Sequence, residues 1–440
     1  MGNFARGVSL TTGANLASLV VGLGTSVILA RALGPEGRGI YALATLLPAL
    51  IVTFGNLGIG PATVYFVARG EFRRQEILGN NVLLSLGIGG LGVVAGLVVV
   101  FFFRESLFPN VAAPFLLLAL ALVPAEIFFS CTQYVLLGAQ RIAEFNYVQV
   151  VHSVVLLAFI ALALPGLKAG VTGAILAGLF AYLVAAVLVF RLAGKAAGGV
   201  DLKPNPSYIR RATTYGVQAH LSNILGFLNY RVDMFLVSWF LGPAAVGLYA
   251  VGVGLVEKLW MISQAAATVL YPRVAAETEE ARRKEFTPLV ARTVLWTTAL
   301  AAVALALLSR WIVLLLYSAE FLPAVSALQA LLIGIITLSA GRVLANDIAG
   351  RGFPGLNIYT GLAAVASNIV FNLAWIPRYG IAGAAWASTV SYTVSFLGAL
   401  MFYCRLSGDP WAKAVLPQRG DGTLYRRITV GLKCRLGQTR

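Results

Sequence analysis

Long apolar stretches separated by short polar connections make up nearly the whole chain. A membrane-spanning helix needs about 20 consecutive, predominantly apolar residues. Twelve stretches are assigned on this basis, at residues 8–30, 40–68, 77–103, 112–138, 147–164, 171–190, 212–240, 246–270, 293–308 (or extended through 311–317), 325–349, 356–376 and 381–404. The pattern therefore predicts an all-α integral membrane protein with twelve transmembrane helices.

Composition supports this prediction and removes several alternatives. Hydrophobic residues account for 59% of the 440 positions and charged residues for 11%, whereas soluble domains average roughly 45–50% and 25%. An ordinary soluble protein is excluded. The three cysteines and two histidines are scattered, so their spacing indicates neither a disulfide framework nor a metal site. We expect no cofactor.

The net charge of +16 would suggest a nucleic-acid partner in a soluble protein. Its distribution gives another explanation, because basic residues hold loops on the cytoplasmic side of a membrane. With the N-terminus inside, 24 of the 33 Lys and Arg residues lie on the cytoplasmic side, six lie outside and three lie within helices. We expect a cytoplasmic-membrane protein with both termini in the cytoplasm and no nucleic-acid partner.

Two motifs recur at nearly constant offsets, which indicates an internal repeat. The segments 33–35 (Leu-Gly-Pro) and 39–42 (Gly-Ile-Tyr-Ala) return 208 positions later as 241–243 (Leu-Gly-Pro) and 247–250 (Gly-Leu-Tyr-Ala). A Gly-x-x-Gly-Ala-x-x-Ala motif begins at Gly170 and again, 210 positions later, at Gly380. Six predicted helices separate equivalent positions, and this even number makes the repeat parallel.

The repeat predicts two six-helix lobes, an N-terminal lobe at 1–204 and a C-terminal lobe at 205–405. A basic cytoplasmic tail at 406–440 follows. We expect this tail to rest on the anionic lipids of the inner leaflet. Two similar bundles related by an axis along the membrane normal are typical of transporters that work by alternating access.

Charged side chains within the predicted helices are functional candidates, because each costs roughly 2.5–3.5 kcal/mol to insert at the bilayer centre. Arg231, Lys258 and Arg342 are candidates for a cationic cavity that receives an anionic head group. Simple charge neutralisation is the alternative interpretation. The acidic candidates for ion coupling or charge pairing are Glu126, Asp233 and Glu257.

The sequence predicts a break in the second helix, because glycine loosens a helix and proline removes one of its hydrogen bonds. The residues are Gly58, Gly60 and Pro61. A broken membrane helix is tolerated only against protein or a wet cavity. The break therefore points toward an interior pathway, although a simple kink would leave the same pattern.

Four segments carry a resemblance to a known family: 30–42, 56–63, 241–250 and 317–324 (Tyr-Ser-Ala-Glu-Phe-Leu-Pro-Ala). They resemble the polysaccharide exporter and lipid-linked oligosaccharide (O-antigen type) flippase branch of the multidrug/oligosaccharidyl-lipid/polysaccharide (MOP) superfamily. The resemblance implies the MATE-like fold and outward movement of polyprenyl-pyrophosphate-linked glycans. Some relatives carry paired arginines in their first two helices. Residues 8–30 and 40–68 contain no Arg or Lys, so we expect any cationic site elsewhere.

Three functions follow from these observations. The leading hypothesis is a flippase for a polyprenyl-pyrophosphate-linked oligosaccharide, with membrane lipids, H⁺ or Na⁺, and glycan polymerase or ligase machinery as partners. The alternative is a cation-coupled multidrug antiporter of the same fold. An integral enzyme such as a glycan ligase is disfavoured, because the longest predicted outer connection, 309–324, is short and no nucleophile or phosphate-binding motif is present.

Overall fold

The computed structural model describes residues 2–264, 266, 274, 280–418 and 421. Within these residues the regular structure is helical, without β-strands. The helices are α1 (Gly2–Gly55), α2 (Ile59–Arg69), α3 (Arg74–Val98), α4 (Arg104–Leu107), α5 (Ala113–Leu120), α6 (Leu122–Gly138), α7 (Ile142–Ala161), α8 (Gly170–Ala197), α9 (Pro206–Leu241), α10 (Pro243–Val256), α11 (Glu280–Leu316), α12 (Ala324–Gly350), α13 (Leu356–Ser407) and α14 (Trp411–Val415).

Ten stretches of helix in the described residues are long and apolar enough to cross a membrane. Two of them contain a residue with non-helical backbone angles, Gly34 in α1 and Gly380 in α13. Counting the two sides of each kink separately gives the twelve predicted segments. The difference from the sequence prediction is that a single kinked glycine stands where we expected a loop.

The glycines at the kinks and chain reversals recur at the same spacing as the repeated sequence motifs. Gly34 has φ 66° and ψ −179°, and Gly242, 208 positions later, has φ 82° and ψ 178°. Gly170 and Gly380 have φ values of 58° and 60°. Such backbone angles are open to glycine and strained for other residues. The repeated glycines thus place the same backbone conformation at matching points of the two halves.

One compact unit, called here the first unit, comprises Met1–Leu255, Leu308–Ala330 and Asn368–Ser388. In it α1 packs against α7, α3 packs against α6, and α8 packs against both α6 and α7. One of its core clusters includes Phe66, Ile77, Phe129, Val148 and Tyr208. Small buried residues of α8 allow the close approach of helices that lipid-embedded bundles need.

The second unit comprises Val256–Leu307, Leu331–Ser367 and Thr389–Arg440. Its core includes Leu344, Ile348, Leu400 and Tyr403. The last described residue, Asp421, forms an ion pair with Arg292 of α11. The Arg292 guanidinium donates hydrogen bonds to this carboxylate and holds the pKa of Asp421 below its ordinary value.

The predicted tail at 406–440 lies largely outside the described residues, which beyond residue 418 include only Asp421. Its contact with lipid stays a prediction. The division into lobes at 1–204 and 205–405 also stays a prediction.

Candidate functional site

Asp233 is the most deeply buried of the predicted charged residues, with 1% of its surface exposed. Its carboxylate accepts hydrogen bonds from the Tyr249 hydroxyl of α10 at 2.6 Å and the Ser388 hydroxyl of α13 at 3.0 Å. The Met234 backbone N–H donates a third at 2.8 Å. These donors supply the hydrogen bonds that a carboxylate requires when it is taken out of water.

The polar cluster extends from Ser388 into the first half of α13. The Asn368 amide donates to the Ser388 hydroxyl at 3.4 Å, and the Asn372 amide donates to the Asn368 side-chain oxygen at 2.7 Å. Both asparagines are fully buried, and the side-chain oxygen of Asn372 has no hydrogen-bond partner in the described residues. We call Asp233, Tyr249, Ser388, Asn368 and Asn372 the buried oxygen cluster.

Sequence reasoning found Asp233 and missed the other four members. A signal was present, because Asn368 and Asn372 stand four residues apart in an apolar helix and therefore share a face. Their link to Asp233 of α9 depends on how the helices pack. The spacing of residues along one helix does not show this packing.

Arg231 lies two residues before Asp233 in α9, in the first unit. Its guanidinium donates to the Tyr230 carbonyl at 3.4 Å, and its positive charge acts on the Asp233 carboxylate. The cation and the carboxylate are thus close in space although they leave the helix on different sides. The same helix supplies one candidate for head-group binding and one for ion coupling.

Lys258 and Arg342 belong to the second unit. Lys258 and Glu257 sit in a short 3-10 turn that follows α10. The Arg342 guanidinium of α12 lies over the ring of Trp260, 4.3 Å from its centroid. The ring quadrupole attracts a cation held over its face. The structure therefore brings Arg342 next to the turn that carries Lys258.

Glu126 of α6 is half-buried in the first unit. It shares a hydrogen bond with the Tyr182 hydroxyl of α8. This pairing ties α6 to α8 and gives Glu126 a neutral partner.

The break in the second predicted helix lies at residues 56–58, where α1 ends and α2 has not begun. Gly58 has φ 68°, and a Cβ there would overlap the backbone of Gly216 in α9. Gly60 and Pro61 belong to the first turn of α2. The ring of His220 in α9 lies 2.6 Å from the Thr53 carbonyl, one of the acceptors left open by the end of α1. The break therefore faces α9.

An apolar groove of about 750 Å³ runs along the same helices, between the end of α1, α3 and α9. Phe54, Leu91, Phe235 and Trp239 are among its lining residues. The side chains of Leu91 and Trp239 are 73% and 64% exposed, so the groove opens on the outer surface of the first unit. Its lining suits a hydrocarbon chain better than a sugar.

No group of three or more His, Cys, Asp or Glu residues that could hold a metal ion occurs in the described part of the chain.

The model of a family of polysaccharide biosynthesis proteins matches residues 4–276, more than half of the chain. The chain belongs to this family. Among its relatives, the uncharacterized membrane protein MJ1068 of Methanocaldococcus jannaschii is 26% identical over 206 residues, covering 45% of this chain and 40% of the relative. Agl15 of Haloferax volcanii, named a probable low-salt glycan biosynthesis flippase, is 23% identical over 196 residues, covering 44% and 42%. The matched regions span less than half of each relative's length.

Solved structures share the fold of this family member. The lipid II flippase MurJ in an inward closed conformation aligns with a TM-score of 0.75 at 16% identity, over 89% of this chain and 87% of MurJ. An inward-facing multidrug resistance MATE transporter of the MOP superfamily aligns with a TM-score of 0.72 at 15% identity, over 91% and 98%. The predicted all-α, MATE-like fold and the resemblance to this superfamily are confirmed.

Proposed function

We propose that this protein is a flippase that moves a polyprenyl-pyrophosphate-linked oligosaccharide, a precursor of surface polysaccharide, from the inner to the outer leaflet. Membership in the polysaccharide biosynthesis family supports the glycan part of the proposal. The likeness to Agl15, whose name gives it as a glycan biosynthesis flippase, supports the transport part. We place the protein in the cytoplasmic membrane with both termini in the cytoplasm, and propose that the lobes 1–204 and 205–405 open alternately to either side.

The observation that carries the proposal is the presence of both an apolar groove and charged side chains within membrane helices. A lipid-linked glycan needs both an apolar environment for its tail and a polar path for its head group. Its prenyl tail gains about 0.8 kcal/mol for each CH₂ that stays in an apolar environment, so only the polar head needs a path through the protein. The groove beside Phe54 and Trp239 matches the tail, and the intramembrane cations match the head.

We assign the head group to Arg231, Lys258 and Arg342. A pyrophosphate presents several acceptor oxygens, and guanidinium groups bind such oxygens with paired, charge-assisted hydrogen bonds. The position of Arg342 over Trp260 orients one of these guanidinium groups. The alternative role of the same residues is charge neutralisation within the membrane, and the experiment below separates the two.

Two sources of driving force are compatible with this assignment. A head group with two negative charges gains roughly 4.6 kcal/mol on outward movement across a 100 mV inside-negative potential. Coupling to H⁺ or Na⁺ instead needs a carboxylate that changes its state, and the candidates are Asp233, Glu126 and Glu257. The buried oxygen cluster favours Asp233, because the Tyr249 and Ser388 hydroxyl oxygens beside its carboxylate are hard ligands of the kind that cations such as Na⁺ bind.

Export of the glycan tests the proposal in a strain whose surface polysaccharide depends on this gene. Replacing Arg231 and Lys258 together by Ala is expected to abolish surface glycan while the protein stays in the membrane at its normal level. A matched variant, Arg310→Ala, removes a basic residue of α11 that the sequence places outside and is expected to export normally. Normal export by the Arg231/Lys258 variant would show that these residues only neutralise charge.

A cation-coupled multidrug antiporter is the second candidate, favoured by the buried oxygen cluster and by the fold shared with a MATE transporter. It predicts that cells lacking the glycan genes still expel cationic dyes when they express this protein. Asp233→Asn would then abolish dye efflux. We expect no dye efflux from these cells.

We propose no enzyme activity for this chain. Glycan polymerase or ligase machinery is instead expected to consume the translocated product on the outer side.

A further inference from the structure

A second cavity, of about 770 Å³, lies where the end of α2 meets the start of α9 in the first unit. Tyr65 and Phe66 of α2 form one wall, and the first turns of α9 form the other with Ser207, Arg210, Arg211, Thr214 and Tyr215. The sequence places these helix ends on the cytoplasmic side, because they flank two of the basic connections. We call this cavity the Arg210 cavity. In the sequence alone its arginines indicate only the loop charge that sets orientation.

Aromatic rings form a fixed floor for this cavity. Tyr65 and Tyr215 stack with 4.7 Å between their ring centroids and an interplanar angle of 25°. The Arg211 guanidinium lies 5.2 Å from the centroid of Phe66 and is anchored by an ion pair with Glu71 at 2.5 Å. Aromatic and Arg side chains held in this way contribute binding surface at low entropic cost, because few rotamers remain to be ordered.

The backbone under Arg210 is equally well fixed. Asn205 caps α9 by accepting a hydrogen bond from the Tyr208 backbone N–H at 3.1 Å. The buried Tyr208 hydroxyl donates to Asn81 of α3 at 2.8 Å, and burial raises the pKa of Tyr208, which keeps this donor protonated. Residues that hold the start of α9 in place thus also hold the cavity in place.

Arg210 itself is exposed, and in the described part of the chain no carboxylate lies within ion-pair distance of its guanidinium. The surrounding charges do not cancel: among the described residues, Arg69 and Arg211 share one carboxylate, that of Glu71, and Arg210 pairs with none. Two positive charges are therefore in excess beside an aromatic surface. This combination recognises an anion that carries about two charges and an adjacent less polar part.

We propose that the Arg210 cavity binds the phosphate groups of a polyprenyl-pyrophosphate lipid at the cytoplasmic face, before the head group crosses the membrane. This inference rests on the proposed function and deepens it by assigning a docking site separate from Arg231, Lys258 and Arg342. Arg210 supplies the charge-assisted hydrogen bonds to phosphate. The tyrosine stack covers the part of the ligand next to the phosphates.

Binding of farnesyl pyrophosphate to the purified full-length protein in nanodiscs of neutral phosphatidylcholine tests this site. Arg210→Gln is expected to weaken binding about tenfold or more, the range for loss of a charge-assisted hydrogen bond. Arg74→Gln is the matched control, since Arg74 is also exposed and also lies on the predicted cytoplasmic side. It is expected to change binding less than twofold.

Three results would overturn the proposal. One is unchanged binding in Arg210→Gln. Another is an equal loss in Arg74→Gln, which would mean that only general surface charge matters. The third is equally tight competition by inorganic pyrophosphate, which would make the ligand a free phosphate compound and not a lipid head group.

The binding experiment and the export experiment can fail independently of each other. If farnesyl pyrophosphate binding depends on Arg210 but the cells export no glycan, the site stands and the flippase assignment fails. If glycan export depends on Arg231 and Lys258 while Arg210→Gln binds and exports normally, the flippase assignment stands and this site fails.

Discussion

At the scale of single residues, two buried aspartates show how the partners of a carboxylate separate a structural role from a functional one. Asp347 of α12 accepts a hydrogen bond from Thr287 at 2.6 Å and forms an ion pair with Arg351, one helical turn later. Its charge is compensated by a cation four residues further along the chain, just beyond the end of α12. Asp233 instead accepts hydrogen bonds from two hydroxyl groups on other helices, those of Tyr249 and Ser388, and from the backbone N–H of the next residue. We therefore interpret Asp347 as structural and Asp233 as the candidate for ion coupling.

Asp347→Ala is expected to destabilise the protein by about 3–5 kcal/mol, because it leaves the buried Arg351 guanidinium without its carboxylate. The measurement is equilibrium unfolding of the purified protein in detergent. Glu105→Ala serves as control, since the Glu105 side chain is 90% exposed and contributes little to stability. Equal stability of the two variants would contradict a structural role for Asp347.

Sequence reasoning at this scale predicted which residues carry unusual charge but not what they contact. Arg231, Lys258 and Arg342 stand out in apolar helices, yet the partner of Arg342, Trp260, is 82 positions away in the chain. From the sequence, Arg210 and Arg211 indicate only topology, because the chain does not show whether aromatic rings lie beside an arginine at a helix end. The contacts of these side chains depend on how the helices pack, which the sequence does not show directly.

At the scale of elements, the repeated hairpins of the chain meet each other. Gly39 of α1 and Gly247 of α10 occupy equivalent repeat positions, and a Cβ on either would overlap the backbone of the other hairpin, at Pro243 and Pro35 respectively. The sequence predicted the repeat from these glycines and prolines. The sequence did not predict that the two copies are in contact. A repeat shows that two segments have similar structures, but it does not show where they lie relative to each other.

Gly247→Ala is expected to lower stability by about 1–3 kcal/mol, the usual range for overpacking a tight contact. Gly254→Ala in the same helix is the control. A Cβ at residue 254 meets nothing within 4 Å, so the better helix propensity of alanine is expected to leave stability equal or slightly higher. Thermal unfolding of the two purified variants checks this, and a Gly247→Ala protein as stable as the control would show that the hairpins separate without cost.

Helix boundaries were predicted less well than helix existence. We expected loops near residues 31–39 and 377–380, whereas α1 and α13 continue through these points with kinks at Gly34 and Gly380. One glycine with positive φ changes the direction of the chain without a loop. Composition alone does not distinguish a loop from a kink within a continuous helix, because a glycine–proline pair marks both.

At the scale of the whole molecule, the apolar pattern, the internal repeat and the asymmetry of basic residues were sufficient to predict the fold class. The family match and the likeness to MurJ and a MATE transporter confirm that prediction. The proposed substrate rests on a combination that no single element contains: an apolar groove for a tail and intramembrane cations for a head group.

Flipping by the purified full-length protein in liposomes tests this account most directly. A fluorescent polyprenyl-pyrophosphate-linked oligosaccharide is placed in the inner leaflet, and its arrival in the outer leaflet is followed with a membrane-impermeant quencher. We predict that the protein accelerates this arrival above the rate of protein-free liposomes, and that the Arg231/Lys258 double Ala variant does not. A wild-type flipping rate equal to that of protein-free liposomes, together with expulsion of a cationic dye by the same vesicles, would contradict the flippase account and favour the antiporter.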